Sequence, residues 1–409
     1  MRRDTCRGCD ASTLEAVFEY GDMPLAGGFV RPEEAGSEPL YPLTLAFCTT
    51  CGLVQVPEVV SAEVLFRDYR YLASVPLSRH FAAYADSVPE RLGLRPDGLI
   101  VEPGANDGVL LRPLHERGFT NVLGVDPADN VTRHAPPEIP ILSAFFTPAV
   151  AEEIRAERGP AQLVAANNVF AHMDEPNVFA AAAAALLEPE GVFAFEVHYL
   201  VDLIDAFQYD TVYHEHLSYY SITALEPLLA RHQLRLFDVE RISNHGGSIR
   251  AFACLRDAAR PDTPELEALR ADELRRGLGS LEAFRDFGAG VRERVAALDA
   301  LVEGRAGAGQ RIAAYGAAGR ATILFNVVES LRHRVAYVVD ESPERIGRLL
   351  PGAHTPIVAP ERLDEEPPDL VLISAWSYAE EIAAKVRARP GRSSGAEFCV
   401  PLPDPRTFR

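Results

Sequence analysis

The run GLIVEPGANDGVLL, residues 98–111, decides the fold. Leu99, Ile100 and Val101 are apolar and lead into Glu102, Pro103 and Gly104; Gly108 then precedes a second apolar run. An apolar segment that stops at a glycine turn and then resumes predicts a strand, a tight turn and a helix. Gly104 and Gly108 allow the sharp turn and let a ligand approach the backbone. Three further apolar runs follow: NVLGVD (121–126), QLVAANNV (162–169) and GVFAFEV (191–197). Between the last two, the alanine-rich segment 178–187 has high helix propensity. Strands alternating with helices predict a parallel, doubly wound sheet.

The same run carries chemistry. Asp126 ends the strand that follows the glycine turn, where an acid can accept both hydroxyls of a ribose. A dinucleotide would prefer a GxGxxG turn, whose helix N-terminus holds a pyrophosphate. Here Glu102, Asn106 and Asp107 occupy the turn, and Asp107 would repel phosphate. S-adenosylmethionine has no phosphate, and its amino and sulfonium groups are cationic, so the acidic turn favours it over NAD. A plain structural turn is the alternative. Asn168 and His172 follow the third run, at the carboxyl end of a strand where ligands of such sheets sit.

Outward from this region, RIAAYGAAGRATILFN (311–326) again reads as strand, glycine turn and helix. RVAYVVD (334–340) and DLVLIS (369–374) read as further strands of a second Rossmann-like lobe. Between the lobes, Leu266, Leu269, Leu274, Leu278 and Leu281 recur at roughly helical spacing. The N-terminal segment is rich in turn residues and has little core of its own, with short apolar runs such as Tyr41–Phe47. It contains Cys6-x-x-Cys9 and Cys48-x-x-Cys51, and each knuckle can place two thiolates on one tetrahedral metal. A structural zinc would help this unit fold. All four ligand positions are then taken by cysteine, which argues against catalytic zinc. Reduced cysteines without metal, or a redox pair, are the alternatives.

The reading is therefore an α/β chain of four parts. A small zinc-binding domain spans 1–75 and a central Rossmann-like S-adenosylmethionine-dependent methyltransferase domain 76–260. A helical connection spans 261–308 and a second Rossmann-like α/β domain 309–409.

The segment Tyr213-His214-Glu215-His216 is the most unusual in the chain. If extended, Tyr213 and Glu215 face one side and His214 and His216 the other; in a loop, several can converge. A histidine can act as general base near neutral pH, and a tyrosine hydroxyl can stabilise a developing enolate oxygen. The pair suits deprotonation of a carbon beside a ketone, followed by methyl transfer. A polar network that only holds a loop is the alternative. His245-Gly246-Gly247-Ser248 is either a substrate loop or a plain hairpin turn.

Together these residues resemble the sugar C-methyltransferases of the deoxysugar pathways that decorate antibiotics, above all the tetronitrose-type carbon-3 enzymes. The motifs are CRGC (6–9), MPLAGGF (23–29), YPLTLAFCTTCGLVQ (41–55), LFRDYRYLAS (65–74), VEPGANDGVLL (101–111) and GVDPADN (124–130). They continue with AANNVFAHM (165–173), YDTVYHEHLSYYS (209–221), NHGGSIR (244–250), AAYGAAGRATILFN (313–326) and VVDESPERIGRLLPGAHTPI (338–357). The resemblance implies S-adenosylmethionine as cofactor, a structural zinc, and methylation of carbon 3 of a dTDP-linked 4-keto sugar. It implies His216 as the base that removes the carbon-3 proton and Tyr213 as support for the enolate, with His214 and Glu215 shaping the loop. Tyr69 or Tyr71, with Ser74, would reach the sugar; His245 joins them as a substrate contact if its glycine-rich turn is a substrate loop. Glu102, Gly104, Asn106, Asp126, Asn168 and His172 would hold the cofactor. Arg320 and Arg345 stand where the family often has lysine, and Ser377 where it often has asparagine.

The net charge of −19 makes nucleic acid a poor partner. No long apolar run suggests a membrane span, and the N-terminus MRRDTCRGCD lacks the apolar region of a secretory signal, so a cytoplasmic location is expected. A monomer or weak dimer is expected. Two rivals remain: an O- or N-methyltransferase, which needs no carbon-acid base, and a non-catalytic zinc-containing binding module.

Overall fold

The computed structural model describes residues 1–61, 65, 74–389 and 391–409, arranged around three sheets. Tyr69 and Tyr71 lie outside the described residues, and Ser74 opens the helix Ser74–Leu92.

The central sheet is built from β4 (Leu99–Pro103), β5 (Val122–Val125), β6 (Ile141–Leu142), β7 (Ala161–Asn167), β8 (Leu187–His198), β10 (Leu234–Ile242) and β11 (Ser248–Leu255). Their order is β10-β11-β8-β7-β4-β5-β6. Every residue of β4 and β7 is buried, as expected of parallel strands covered on both faces. The four predicted runs became β4, β5, β7 and β8. The sheet is not parallel throughout, however. β11 runs antiparallel to both β8 and β10. The turn between β10 and β11 is too short for a crossover and so forces a hairpin, with Gly246 at φ 90° and Gly247 at φ 123°. The HGGS segment is thus a hairpin turn.

The N-terminal sheet has the order β1-β2-β3-β9, with β1 Leu14–Pro24, β2 Leu40–Cys48, β3 Val54–Gln55 and β9 Ser218–Tyr219. Its fourth strand comes from far along the chain, directly after the YHEH segment. Gln55 pairs with Ser218 and Val54 with Tyr219. The cysteine-bearing unit is in this way stitched to the segment of greatest chemical interest.

The helices Pro264–Arg276 and Leu281–Gly307 follow the central sheet. Leu266 and Leu278 are buried, whereas Leu274 is 81% exposed and lies off the apolar stripe. The buried Glu273 accepts from the Ile222 and Thr223 amides and from the Tyr199 hydroxyl. It caps the start of helix Ile222–Ala230, just beyond β9. The C-terminal sheet comprises β12 (Ile312–Tyr315), β13 (Val335–Val339), β14 (Ile357–Val358), β15 (Leu370–Ile373), β16 (Glu397–Val400) and β17 (Arg406–Phe408), in the order β14-β13-β12-β15-β16-β17. Only β17 is antiparallel to its neighbour. Among the described residues, no helix is long and apolar enough to cross a membrane.

Candidate active site and zinc centre

The two knuckles converge: the sulfurs of Cys6, Cys9, Cys48 and Cys51 all lie within 4.8 Å of one another. Cys6 Sγ is 3.5 Å from Cys51 Sγ, and Cys9 Sγ is 3.6 Å from Cys48 Sγ. Four sulfurs on a tetrahedron around zinc, each at about 2.3 Å, stand roughly 3.8 Å apart, so the cage matches the ion. The Gly8 amide and the Gln55 amide side chain both donate to Cys6 Sγ, at 3.3 and 3.1 Å. Such donors steady a thiolate.

A cleft of about 290 Å³ opens at the carboxyl ends of β4, β5 and β7. Glu102, Gly104, Asn106, Asp126, Asn168 and His172, all expected there, line it together. Gly104 has φ 73°, and a Cβ there would fall 2.3 Å from Val169 Cγ2. Only glycine fits this approach. Asp126 accepts from the Asn106 and Ala128 amides, each at 2.9 Å. Burial raises its pKa, and those two amides oppose the rise. Glu102 is held well above the usual carboxylate range by burial, with Asp126 and Asp107 adding to the rise. The cleft therefore joins acidic groups to an apolar wall that includes Val125, Phe145 and Phe179. That combination fits the cationic ammonium and sulfonium groups and the adenosine of S-adenosylmethionine.

The YHEH segment is a turn and not an extended strand. The His216 amide donates to the Tyr213 carbonyl at 2.9 Å. This closes the turn and brings the Tyr213 and His216 rings to 3.9 Å between centroids. The alternation expected of an extended segment is thereby replaced. His214 is not brought to the cluster: its Nε2 donates to the Pro42 carbonyl at 3.0 Å, facing the N-terminal sheet. Its role is that of an anchor. Glu215 sits beside Gly27, and burial raises its carboxyl to about 7 against the opposing Gly27 amide.

His216 Nδ1 lies 2.8 Å from the Thr211 carbonyl oxygen. A carbonyl can only accept, so Nδ1 carries the proton and Nε2 has a free lone pair. The Tyr219 hydroxyl donates to the same oxygen at 3.1 Å. Burial holds the His216 imidazole well below its usual pKa, with His172, Arg320 and His245 adding to the effect. The ring is therefore neutral at pH 7, as a base must be. His172, lowered to about 4 by burial, is 5.1 Å away ring to ring and joins this turn to the cofactor cleft.

Several groups escaped the sequence reading. His198, at the end of β8, lies 4.8 Å from His216 and 5.5 Å from His245, ring to ring. Its position at a strand's carboxyl end was the available signal. The buried Glu196 carboxylate bonds His80 at 2.8 Å and Arg250 at 2.7 Å. From the C-terminal lobe, Arg320 donates to the His245 carbonyl and stacks over Trp376, whose indole donates to Asp210 at 2.8 Å. Arg320 Nη1 is buried with no partner among the described residues. Gly319 of the same lobe faces Tyr213: a Cβ added there would lie 3.9 Å from the Tyr213 hydroxyl.

Comparison with known proteins agrees with this anatomy. Residues 6–66 match a family model described as "Putative zinc binding domain", 77–239 a "Methyltransferase domain" and 243–403 a "C-methyltransferase C-terminal domain". The chain is 36% identical to the C-methyltransferase NovU of Streptomyces niveus, over 99% of this chain and 97% of that protein. Two solved structures also overlay in part. An S-adenosylmethionine-dependent methyltransferase from Clostridium acetobutylicum does so at 14% identity and TM-score 0.35, over 47% of this chain and 96% of that one. The CcbJ methyltransferase of Streptomyces caelestis does so at 16% identity and TM-score 0.36, over 49% and 97%. A zinc-binding N-terminal unit, a methyltransferase sheet and a C-terminal lobe, with a match that covers 97% of NovU, place this chain in the family of S-adenosylmethionine-dependent C-methyltransferases.

Proposed function

We propose that the protein methylates carbon 3 of a dTDP-linked 4-keto-deoxysugar through a base-generated enolate. The observation that carries this reading is the His216–Tyr213 turn. His216 is neutral, its Nδ1–H is fixed on the Thr211 carbonyl, its Nε2 is free, and a phenol lies against it. A carbon acceptor has no lone pair until a base has taken its proton, so a fixed neutral histidine beside a phenol suits it; an O- or N-methyl acceptor needs no carbon-acid base.

His216 Nε2 takes the carbon-3 proton, and the electron pair of that C–H bond moves into the ring carbon framework and onto the C4 oxygen. The Tyr213 hydroxyl donates to that oxygen as charge builds, which lowers the barrier where charge develops. Bound S-adenosylmethionine would supply an electrophilic methyl group: the enolate carbon would form the new bond to it as the methyl–sulfur bond breaks and the sulfur keeps that electron pair as a thioether. Asp126 and Glu102 would hold the ribose and the amino acid end, and Gly104 admits the cofactor close to the backbone. The sugar lies between the central and C-terminal lobes, where Arg320 and Arg345 supply positive charge for a diphosphate. His172 would separate the two ligands, and Tyr69 or Tyr71, with Ser74, would reach the sugar.

The test is incubation with dTDP-4-keto-2,6-dideoxyhexose and S-adenosylmethionine, read by mass spectrometry and NMR. The reading expects a gain of one methylene unit, located at carbon 3. A methyl group on oxygen, or no sugar product with the cofactor bound, would refute it.

A further inference from the structure

The base has an exit problem. Each turnover leaves one proton on His216, a residue that is 6% exposed. Its Nδ1 is committed to the Thr211 carbonyl, so the proton must leave by the edge through which it arrived. The neighbours of that ring make a stored positive charge costly: burial opposes it first, then His172, the Arg320 guanidinium and His245.

A path out is present. The His216, His198 and His245 rings form a continuous file, with centroids 4.8 and 5.5 Å apart. Edge nitrogens can bridge such separations directly or through one water. The file ends on the partly exposed glycine turn, where His245 has φ 56° and Gly246 and Gly247 follow. A carboxylate opposes the surrounding positive charge only at the outer end of the file. The charged neighbours of His198 are all cationic or potentially cationic: His216, His245, Arg320 and His172. His245 also feels Arg320, His80 and His172, but it alone of the three has a carboxylate, Glu196, favouring its proton. Glu196 is itself fixed by His80 and Arg250.

We propose that His198 and His245 are a proton relay for the base: the proton that His216 takes from the sugar carbon passes from Nε2 to His198, then to His245 and to solvent. Nothing is oxidised or reduced. The C–H electron pair stays with the sugar and is spent on the new carbon–methyl bond. This inference rests on the carbanion reading above.

The experiment uses the full-length protein with dTDP-4-keto-2,6-dideoxyhexose. With the demethylated cofactor in deuterated water, deuterium wash-in at the substrate carbon is followed by NMR. With S-adenosylmethionine, the first turnover and the steady state are timed separately. In His198→Phe, wash-in and steady-state turnover should each fall at least about tenfold, while the first turnover stays within about threefold of wild type, because only regeneration of the base is impaired. Equal loss in all three would make His198 a structural or substrate-binding group and overturn the relay. Unchanged wash-in and unchanged steady state would overturn it as well. His198→Asn, which keeps a small polar side chain but cannot pass on a proton, should repeat the pattern and serves if His198→Phe does not fold. Failure of the underlying reading looks different: wild type itself would then neither wash in deuterium nor methylate the carbon.

Discussion

The central and C-terminal lobes repeat one construction. In the first, β4 ends at Gly104, whose amide donates to the Val125 carbonyl at 2.7 Å, and Asp126 accepts from the Asn106 and Ala128 amides. In the second, β12 ends at Gly316, whose amide donates to the Val339 carbonyl at 2.8 Å, and Asp340 accepts from the Ala317 and Ser342 amides at 2.7 and 2.8 Å. The backbone frame is the same, and the side chains hung on it differ in sign. The first turn carries Asn106 and Asp107 beside Glu102 and opens onto a cleft. The second carries Arg320, and Arg345 lies 3.3 Å from Asp340. A Rossmann-like turn thus selects no ligand by itself. The charges added to it do, a cationic cofactor in one lobe and an anionic nucleotide in the other under the proposed function.

The largest effect should come from outside both lobes. Cys48→Ala, or zinc removal by chelator, should unfold the N-terminal unit, since structural zinc and folding are coupled. Because Gln55 both donates to Cys6 Sγ and pairs with Ser218 in β9, turnover should fall with it. Circular dichroism and zinc content, read beside activity, check this. Full activity in zinc-free protein would show that the two lobes need no third support. Next, His216→Asn or Tyr213→Phe should lower turnover about 10²–10⁴-fold, the range for general acid–base groups, with cofactor affinity nearly normal.

A smaller effect tests the likeness of the lobes directly. Asp126→Ala should weaken S-adenosylmethionine binding by about 1–3 kcal/mol, the scale of a lost charged hydrogen bond. Asp340→Ala should leave that affinity unchanged in calorimetry and weaken the nucleotide sugar instead. Crossed effects would break the division of labour. The smallest effect concerns Glu215, whose folded pKa of about 7 exceeds the unfolded value near 4.3. A raised folded pKa adds stability below the unfolded value, and that stability is lost as pH rises through the folded one. Glu215→Gln should therefore gain melting temperature relative to wild type as pH rises from about 5 to 8. An unchanged difference across that range would place Glu215 in water.

The parts of this anatomy that are local in sequence were legible from it. Apolar runs ending at Gly104 or Gly316 announce their strands, and paired knuckles announce the metal. Residues 213–216 stand out by composition alone, and the chemistry proposed for them starts from it. Their geometry was not legible, because a turn and a strand share the same letters: the Tyr213–His216 pairing depends on one backbone hydrogen bond. β9 is two residues long and owes its existence to β3, some distance away in the chain, so no periodicity marks it. His198 belongs to the site only because β11 places the His245 turn opposite the end of β8, with Ser248 paired to His198. Leu274 had the right spacing and the wrong face, since the stripe of helix Pro264–Arg276 is set by what it packs on.

The central claim is that His216, held in one tautomer by the Thr211 carbonyl, creates a carbanion beside a ketone. Deuterium incorporation into dTDP-4-keto-2,6-dideoxyhexose, in deuterated water with the demethylated cofactor bound, tests this most directly. Wild type should exchange hydrogen at carbon 3 and at no other stereocentre, and His216→Asn should slow that exchange by at least about 10²-fold. Exchange in His216→Asn at more than half the wild-type rate would contradict the account and place the base elsewhere.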